Sequence, residues 1–349
     1  MLEHLLPRIW QRRGVLAVLL LPLTALFSLL SRLRHHAYAC GVLARVRLSV
    51  PVVVVGNIIV GGSGKTPLTL WLAEALRHAG WQPGIISRGY AADDGTVQVR
   101  EVHAQSRAAD VGDEPLLLKR RSGVPVFVGR DRVAAGRALL AAYPQCDLIL
   151  SDDGLQHYRL QRDVEIVVLD ARGVMNGFLL PSGPLRESPQ RLANVDALVL
   201  NGTAAQIPSS VIDKTGSVHR YRMHLKGTRF MRLDVPAIEA TSADLASFRL
   251  AAVCGIAVPE RFFQHLDAMG LSFTRHAFPD HHAFTAEDLI GVQHKTQADA
   301  LLMTEKDAVK CSDYRGCVVW VLPVTAELES ASCVVNIDLV SLIEQRLAE

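Results

Sequence analysis

Between residues 56 and 67 the chain reads GNIIVGGSGKTP, with Gly61, Gly62 and Gly64 around Ser63 and immediately ahead of Lys65 and Thr66. Successive backbone N–H groups in such a turn form an anion nest, and glycine lets the backbone approach phosphate oxygens closely. A lysine here reaches β- and γ-phosphates, and a threonine hydroxyl ligates Mg²⁺. Gly61, Gly62, Ser63, Gly64, Lys65 and Thr66 are therefore the candidate nucleotide-binding residues, with Thr66 also a metal candidate. The strict form of the loop has glycine six residues before the lysine, and Ile59 stands there instead. Context offsets the mismatch, because an apolar run, VPVVVVGN, precedes the loop and a helical pattern, PLTLWLAEALRHAG, follows it. The competing reading is a glycine-rich turn without a ligand.

A second cluster ends the run DLILSDDG, where Asp152 and Asp153 are adjacent. Neighbouring carboxylates repel one another, and Mg·ATP relieves that cost. Further polar groups occur in GDEP (112–115), GRDR (129–132), LRE (185–187) and PDHH (279–282). Taken singly, an arginine pair is usually solvated and a His-His pair usually lies on the surface, so the pattern alone gives these no role.

The elements that must carry these groups alternate from residue 50 onward. PGIISRGY, VPVFVGR, CDLILSDDG, VEIVVLDARG and VDALVLNG read as strands ending in Gly, Asp or Asn, separated by crossover segments. That pattern predicts a doubly wound, mostly parallel sheet, with ligands at the carboxyl ends of its strands. Near residue 218 the pattern changes. SVHRYRMHLKGTRFMRLDV reads as a hairpin or ribbon around Lys226-Gly227, followed by a second set of strands interleaved with helices. The expected division is an N-terminal membrane-associated segment (1–40), a P-loop domain (41–217), a ribbon linker (218–234), a smaller α/β domain (235–325), and a return segment with a C-terminal helix (326–349).

The chain has 349 residues and a formal net charge of +2, but the charge is unevenly placed. No Asp or Glu occurs between His4 and Ala73, a stretch that holds Arg8, Arg12, Arg13, Arg32, Arg34, Arg45, Arg47 and Lys65. Such a front end favours an anionic partner, and without a nucleic-acid signature that partner is anionic lipid. Gly14–Ser31 is an uncharged apolar run of 18 residues. Charged residues before the AYA at 37–39 argue against a cleaved signal peptide. Spanning would put Arg8, Arg12 and Arg13 outside and would leave Pro22 in mid-helix. An in-plane or hairpin-like anchor on the cytoplasmic face is preferred, with spanning second and a buried core helix third. Six cysteines, at 40, 146, 254, 311, 317 and 333, contain no Cys-x-x-Cys pair, which suits a reducing compartment.

In order along the chain, GNIIVGGSGKTP, SRGY, GDEP, SDDGLQH, LPSGPLRE, FPDHH and TEKDAVK together resemble the tetraacyldisaccharide 4'-kinase (lipid A 4'-kinase) family of Gram-negative bacteria, from about residue 10 to the C-terminus. The family's loop is GGxGKTP, so Ile59 is no departure from it. The resemblance implies a P-loop NTPase-like α/β fold with a smaller α/β domain joined by a two-stranded ribbon. It implies transfer of the γ-phosphate of ATP, with Mg²⁺, to the 4'-hydroxyl of a tetraacyldisaccharide 1-phosphate at the cytoplasmic face of the inner membrane. Carried over by motif, Asp113 is the general base with His281 as its partner, and Lys65 joins them in catalysis. Asp152 and Asp153 are metal-associated acids with Glu187 and Thr66, and Arg132, Gln156, His157 and Arg186 fall in the substrate region. Neither a nucleic-acid partner nor an obligate protein partner is implied. The alternative is a membrane-associated regulatory P-loop NTPase, although the N-K-x-D motif of G proteins and an LSGGQ-like signature are both missing.

Overall fold

The structure, a computed structural model, describes residues 9–89, 99–202, 218–311, 316–331 and 337–349. Arg8, Tyr90 and Cys333, named above, lie outside the described residues. Two N-terminal helices, α1 (Val15–Leu19) and α2 (Leu21–Ala39), are followed by β1 (Val52–Gly56), α3 (Lys65–His78), β2 (Pro83–Ser87) and β3 (Arg100–Glu101). Then come α4 (Ala108–Val111), α5 (Asp113–Ser122), β4 (Val126–Val128), α6 (Arg132–Ala142), β5 (Leu148–Asp152), β6 (Val164–Asp170), β7 (Ala197–Asn201) and β8 (His219–Lys226). The chain continues through β9 (Arg229–Arg232), β10 (Glu239–Thr241), α7 (Ser242–Leu245), β11 (Leu250–Cys254), α8 (Pro259–Ala268), β12 (Phe273–Ala277) and α9 (Ala286–Thr296). It ends in β13 (Ala300–Thr304), α10 (Glu305–Ala308), β14 (Val319–Leu322), β15 (Thr325–Ser330) and α11 (Leu339–Ala348).

The first sheet has nine strands in the order β15-β8-β7-β6-β1-β5-β2-β4-β3. Pairing is parallel from β8 to β4, and only the edge strands β15 and β3 run antiparallel. β1 lies at its centre, and Val52, Val53, Val54 and Val55 are fully buried or nearly so. That suits a strand covered on both faces, since a strand with one wet face would alternate. On one face Val53 and Val55 pack with Leu68, Leu72 and Leu76 of α3. On the other, Val52 and Val54 pack with Val133 and Leu139 of α6. α11 joins the first face through Leu339, Leu342 and Ile343.

The second sheet has six strands, in the order β10-β9-β14-β13-β11-β12, with β12, β11, β13 and β14 parallel. The fold is thus a P-loop NTPase-like, mostly parallel α/β sheet with a smaller α/β layer beside it. The ribbon differs from a local hairpin around Lys226-Gly227. β8 pairs with β7 and β15, whereas β9 pairs with β10 and β14. The two strands that link the sheets are therefore β8 on the way out and β15 on the way back. Alternating polarity made a local hairpin plausible, but the partner of β8 lies about a hundred residues later.

Residues 14–31 do not form one helix. The chain breaks at Leu20, and Pro22 sits in the first turn of α2, where its missing N–H costs no intrahelical bond. Among the described residues no helix is long and apolar enough to cross a membrane.

Candidate active site

The loop after β1 enters α3 through Gly61 and Gly64, at φ +94° and +98°, a region L side chains rarely adopt. Gly64 caps α3, no side chain caps it, and no acid lies in the first turn. The N–H groups of that turn and the positive end of the helix dipole are therefore free of side-chain acceptors and suit an anion. From behind, side chains hold three consecutive loop carbonyls. Asn57 Nδ2 donates to Gly61 O at 3.2 Å, Arg172 Nη2 to Gly62 O at 2.9 Å, and Asn201 Nδ2 to Ser63 O at 2.9 Å. None of these three donors is a candidate on sequence grounds. Their common signal is position, since each stands at or just beyond the carboxyl end of β1, β6 or β7.

In front of the loop lies a cavity of about 450 Å³ between the two sheets. The loop from Gly62 to Thr66 lines one wall, and Ile256, Val258, Phe262 and Leu322 line an apolar wall opposite. Lys306 and Glu114 also line it, and they pair across the interface at 2.9 Å. A space of this size with one phosphate-binding wall and one apolar wall fits a nucleotide.

Asp152 and Asp153 end the neighbouring strand β5 and part ways. Asp152 is fully buried and accepts from Thr69 Oγ1 and Ser87 Oγ, each at 3.3 Å. Burial pushes its pKa up, helped by the charge of Glu114 and against that of Lys65. Asp153 also feels burial, yet Lys65, 3.5 Å away, and Arg186, 3.2 Å away, hold its pKa below the ordinary carboxylate value. Asp153 sits at φ +47°, a strained position for a residue with a side chain. Glu187 is separate from this pair. It accepts from Gln156 Nε2 at 2.8 Å and lies 3.5 Å from Arg191, and it meets Asp153 only through Gln156 and Arg186. Among the described residues no three His, Cys, Asp or Glu side chains converge to hold a metal ion. A buried carboxylate with raised pKa beside Lys65, and a loop threonine lining the cavity, nonetheless fit Mg²⁺ bound mainly through phosphates and water.

Arg132 is buried at the start of α6 and donates to Gly129 O at 3.1 Å and to Asp153 O at 3.3 Å. Its Nε has no partner, and burial lowers its pKa to about 10 against the pull of Asp153 and Asp152. Nearby His157 is also buried at Nε2 without a hydrogen bond, and burial together with Arg132 lowers its pKa to about 4. His157 is therefore neutral at physiological pH.

Asp113 opens α5 and His281 follows β12 on the second sheet, 168 residues later, yet His281 Nδ1 and Asp113 Oδ2 are 2.9 Å apart. Gly112 (φ +94°) turns the chain into α5, and His281 itself holds φ +60°. Beneath the pair, Lys310 Nζ lies 3.7 Å from Asp113 Oδ2 and 2.8 Å from the fully buried Asp307. Burial works against ionised Asp113, but His281, Lys306 and Lys310 outweigh it and hold its pKa at about 2. The hydrogen bond that His281 donates to Asp113 raises the pKa of His281 despite its partial burial. His282 is turned elsewhere, toward Asp288 at 3.0 Å. Arg130 has no part in the contacts of Arg132.

A family model described as LpxK, tetraacyldisaccharide-1-P 4'-kinase, matches residues 16–340. A tetraacyldisaccharide 4'-kinase from Dechloromonas aromatica is 51% identical over 352 residues, covering 99% of this chain and 98% of that one. One from Azoarcus sp. is 49% identical over 327 residues, covering 93% and 92%. A crystal structure of LpxK from Aquifex aeolicus, an "apo" form in complex with ATP, superposes with a TM-score of 0.71 at 28% identity, over 90% of this chain and 96% of that one. With the loop, the cavity and the Asp113–His281 pair in place, this chain belongs to the tetraacyldisaccharide 4'-kinase family.

Proposed function

We propose that this chain moves the γ-phosphoryl group of ATP onto the 4'-hydroxyl of a tetraacylated glucosamine disaccharide 1-phosphate, working as a peripheral protein on the cytoplasmic face of the inner membrane. The observation that carries this reading is the 2.9 Å contact between Asp113 on the loop-bearing body and His281 on the other, beside a cavity walled by the phosphate loop. A regulatory switch needs no proton acceptor at the mouth of its nucleotide site, whereas transfer to an alcohol does.

Phosphoryl transfer depends on positioning and charge neutralisation more than on covalent help from the protein. N–H groups from Gly62 to Thr66 hold the β- and γ-phosphates, and Lys65 neutralises the γ-oxygens. Thr66, with Asp152 and Asp153 close by, would hold Mg²⁺, which would supply positive charge to offset that of the phosphates. Asp113 faces the acceptor hydroxyl. As its oxygen bonds to the γ-phosphorus and the bond to the β-phosphate oxygen breaks, the hydroxyl proton passes to Asp113 and is held by His281. Arg132 Nε and His157 Nε2 are buried without a hydrogen bond, His157 Nε2 lying 3.8 Å from Asp131 Oδ1, which fits contact with the phosphorylated sugar. Arg186 and Gln156 brace Asp153 and Glu187 beside them. Exposed Leu19, Leu23, Leu26, Leu30 and Leu33 on α1 and α2, flanked by Arg12, Arg13, Arg32 and Arg34, supply the membrane contact.

The direct test is transfer of radiolabel from γ-labelled ATP to purified tetraacyldisaccharide 1-phosphate in mixed micelles. Labelled lipid supports the kinase, and lipid-independent hydrolysis without labelled lipid supports a switch. His281→Ala should lower kcat by about 10²-fold at saturating ATP and lipid. A near-normal kcat would remove the dyad from the mechanism.

A further inference from the structure

One route connects the second body to the phosphate loop without passing through the nucleotide. Arg172 lies against the loop, so that a Cβ added to Gly61 would meet its Nη1 at 3.2 Å, and its Nη2 donates to Gly62 O at 2.9 Å. The same guanidinium grips Asp170, its Nε donating at 3.0 Å to Oδ2 and 3.1 Å to Oδ1. The Asp170 side chain is wholly buried and has a second cation on it, Arg261 Nη2 at 3.2 Å. Arg261 belongs to α8 of the second body, whose Ala257 also stands over Gly62. A buried carboxylate gripped from two sides by planar guanidinium groups is a fixed spacer.

We infer that Arg261 is a positioning residue for the nucleotide phosphates, acting through Asp170 and Arg172 to fix the peptide plane between Gly62 and Ser63. That plane carries the Gly62 carbonyl on one side and the Ser63 N–H on the other. Tying the carbonyl back to Arg172 therefore turns the N–H away from it, at a residue that lines the cavity. Seating of the second body thus sets a donor in the loop and brings His281 to Asp113 in the same movement. This inference rests on the loop being the ATP phosphate site.

The test is a double-mutant cycle on the full chain, with ATP and adenosine titrated separately by calorimetry. Arg261→Ala and Arg172→Ala should each weaken ATP binding about tenfold and leave adenosine, which lacks phosphates, unchanged. The double variant should be no weaker than either single one, and Arg261→Lys should recover most of the loss. Asp170→Asn, which keeps shape but not charge, should reproduce Arg261→Ala. Additive losses would mean that Arg261 touches phosphate on its own and would overturn the relay, as would ATP affinity unchanged in Arg261→Ala. Equal losses for adenosine and ATP would overturn it too, placing Arg261 in the general shape of the cavity. Lys65→Met separates the underlying reading. If that variant binds ATP normally, the loop is not the phosphate site and both readings fail. If it loses ATP while the cycle is additive, only the relay fails.

Discussion

In the proposed mechanism Asp113 and His281 exchange a proton with the acceptor as one unit, so their titration should set the pH dependence of kcat. The pKa of His281 is raised above its ordinary 6.5, so the stability it adds is fully present below 6.5 and is lost as pH rises through the folded value. Asp113, at about 2 against an ordinary 3.8, adds stability above 3.8 that is lost as pH falls toward 2. The ion pair is thus complete between those two ordinary values. Catalysis wants the opposite end, because a protonated pair has no room for the hydroxyl proton. The kcat profile should therefore rise through a pH above 6.5, and His281→Ala should abolish that limb. A profile of kcat against pH in both proteins checks this, and an unchanged limb in the variant would assign it to another group. The members of this pair were nameable in the sequence only through the family resemblance, because GDEP and PDHH carry no role by pattern alone. Asn57, Arg172 and Asn201 were not nameable, because a lone polar residue at a strand end is common and only the topology brings these three behind one loop.

Among the elements, the N-terminal helices combine a packing role with the membrane contact proposed for them, and a deletion would confound the two. Their outer face is leucine, with Leu19 at 68% and Leu30 at 57% exposure. Their inner face and the residues just before them are strapped to the 176–182 stretch, with Thr24 Oγ1 2.8 Å from Ser182 Oγ, Trp10 Nε1 3.0 Å from Pro181 O, and Arg13 Nε 2.9 Å from Asn176 O. Changing Leu23, Leu26 and Leu30 together to Gln leaves those bonds alone. Flotation with anionic liposomes should fall sharply and the KM for lipid should rise, with little change in the KM for ATP. Undiminished flotation would sink the anchor. The Pro22 break in the apolar run was visible in the sequence, since proline removes a donor wherever it stands. The strap was not, because Thr24 and Ser182 are ordinary residues far apart in the chain.

The whole molecule is two bodies held together by an uneven seam. Across it run Asp113–His281, Glu114–Lys306, Arg121–Glu305 at 2.6 Å, and Asp170–Arg261. An interface that carries ion pairs like these is more polar than a core and can separate and re-form more readily than one. Most strands of both bodies were legible from β-branched runs and strand-end residues, though the short or edge strands β3, β10 and β15 were not. The partner of β8 was not, because pairing across so long a separation leaves no local trace. The links are tight where they cross. A Cβ on Gly227 would meet Pro323 O at 2.5 Å, so Gly227→Val should destabilise the fold by about 1–3 kcal/mol in urea unfolding. An unshifted midpoint would show that the crossing can yield.

That crossing also makes the second body an insertion whose two ends are neighbours. The chain leaves the nine-stranded sheet at Lys226 and re-enters it at Thr325, and these two residues are paired across β8 and β15. A short turn between them would close the sheet as a hairpin and excise everything between. The shortened chain would keep Lys65, Asp113 and Asp152 and lose His281 and Arg261. The residues proposed as the partner of Asp113 and as the outer brace of the loop thus enter the nine-stranded sheet's site on one inserted segment, through a single strand turn.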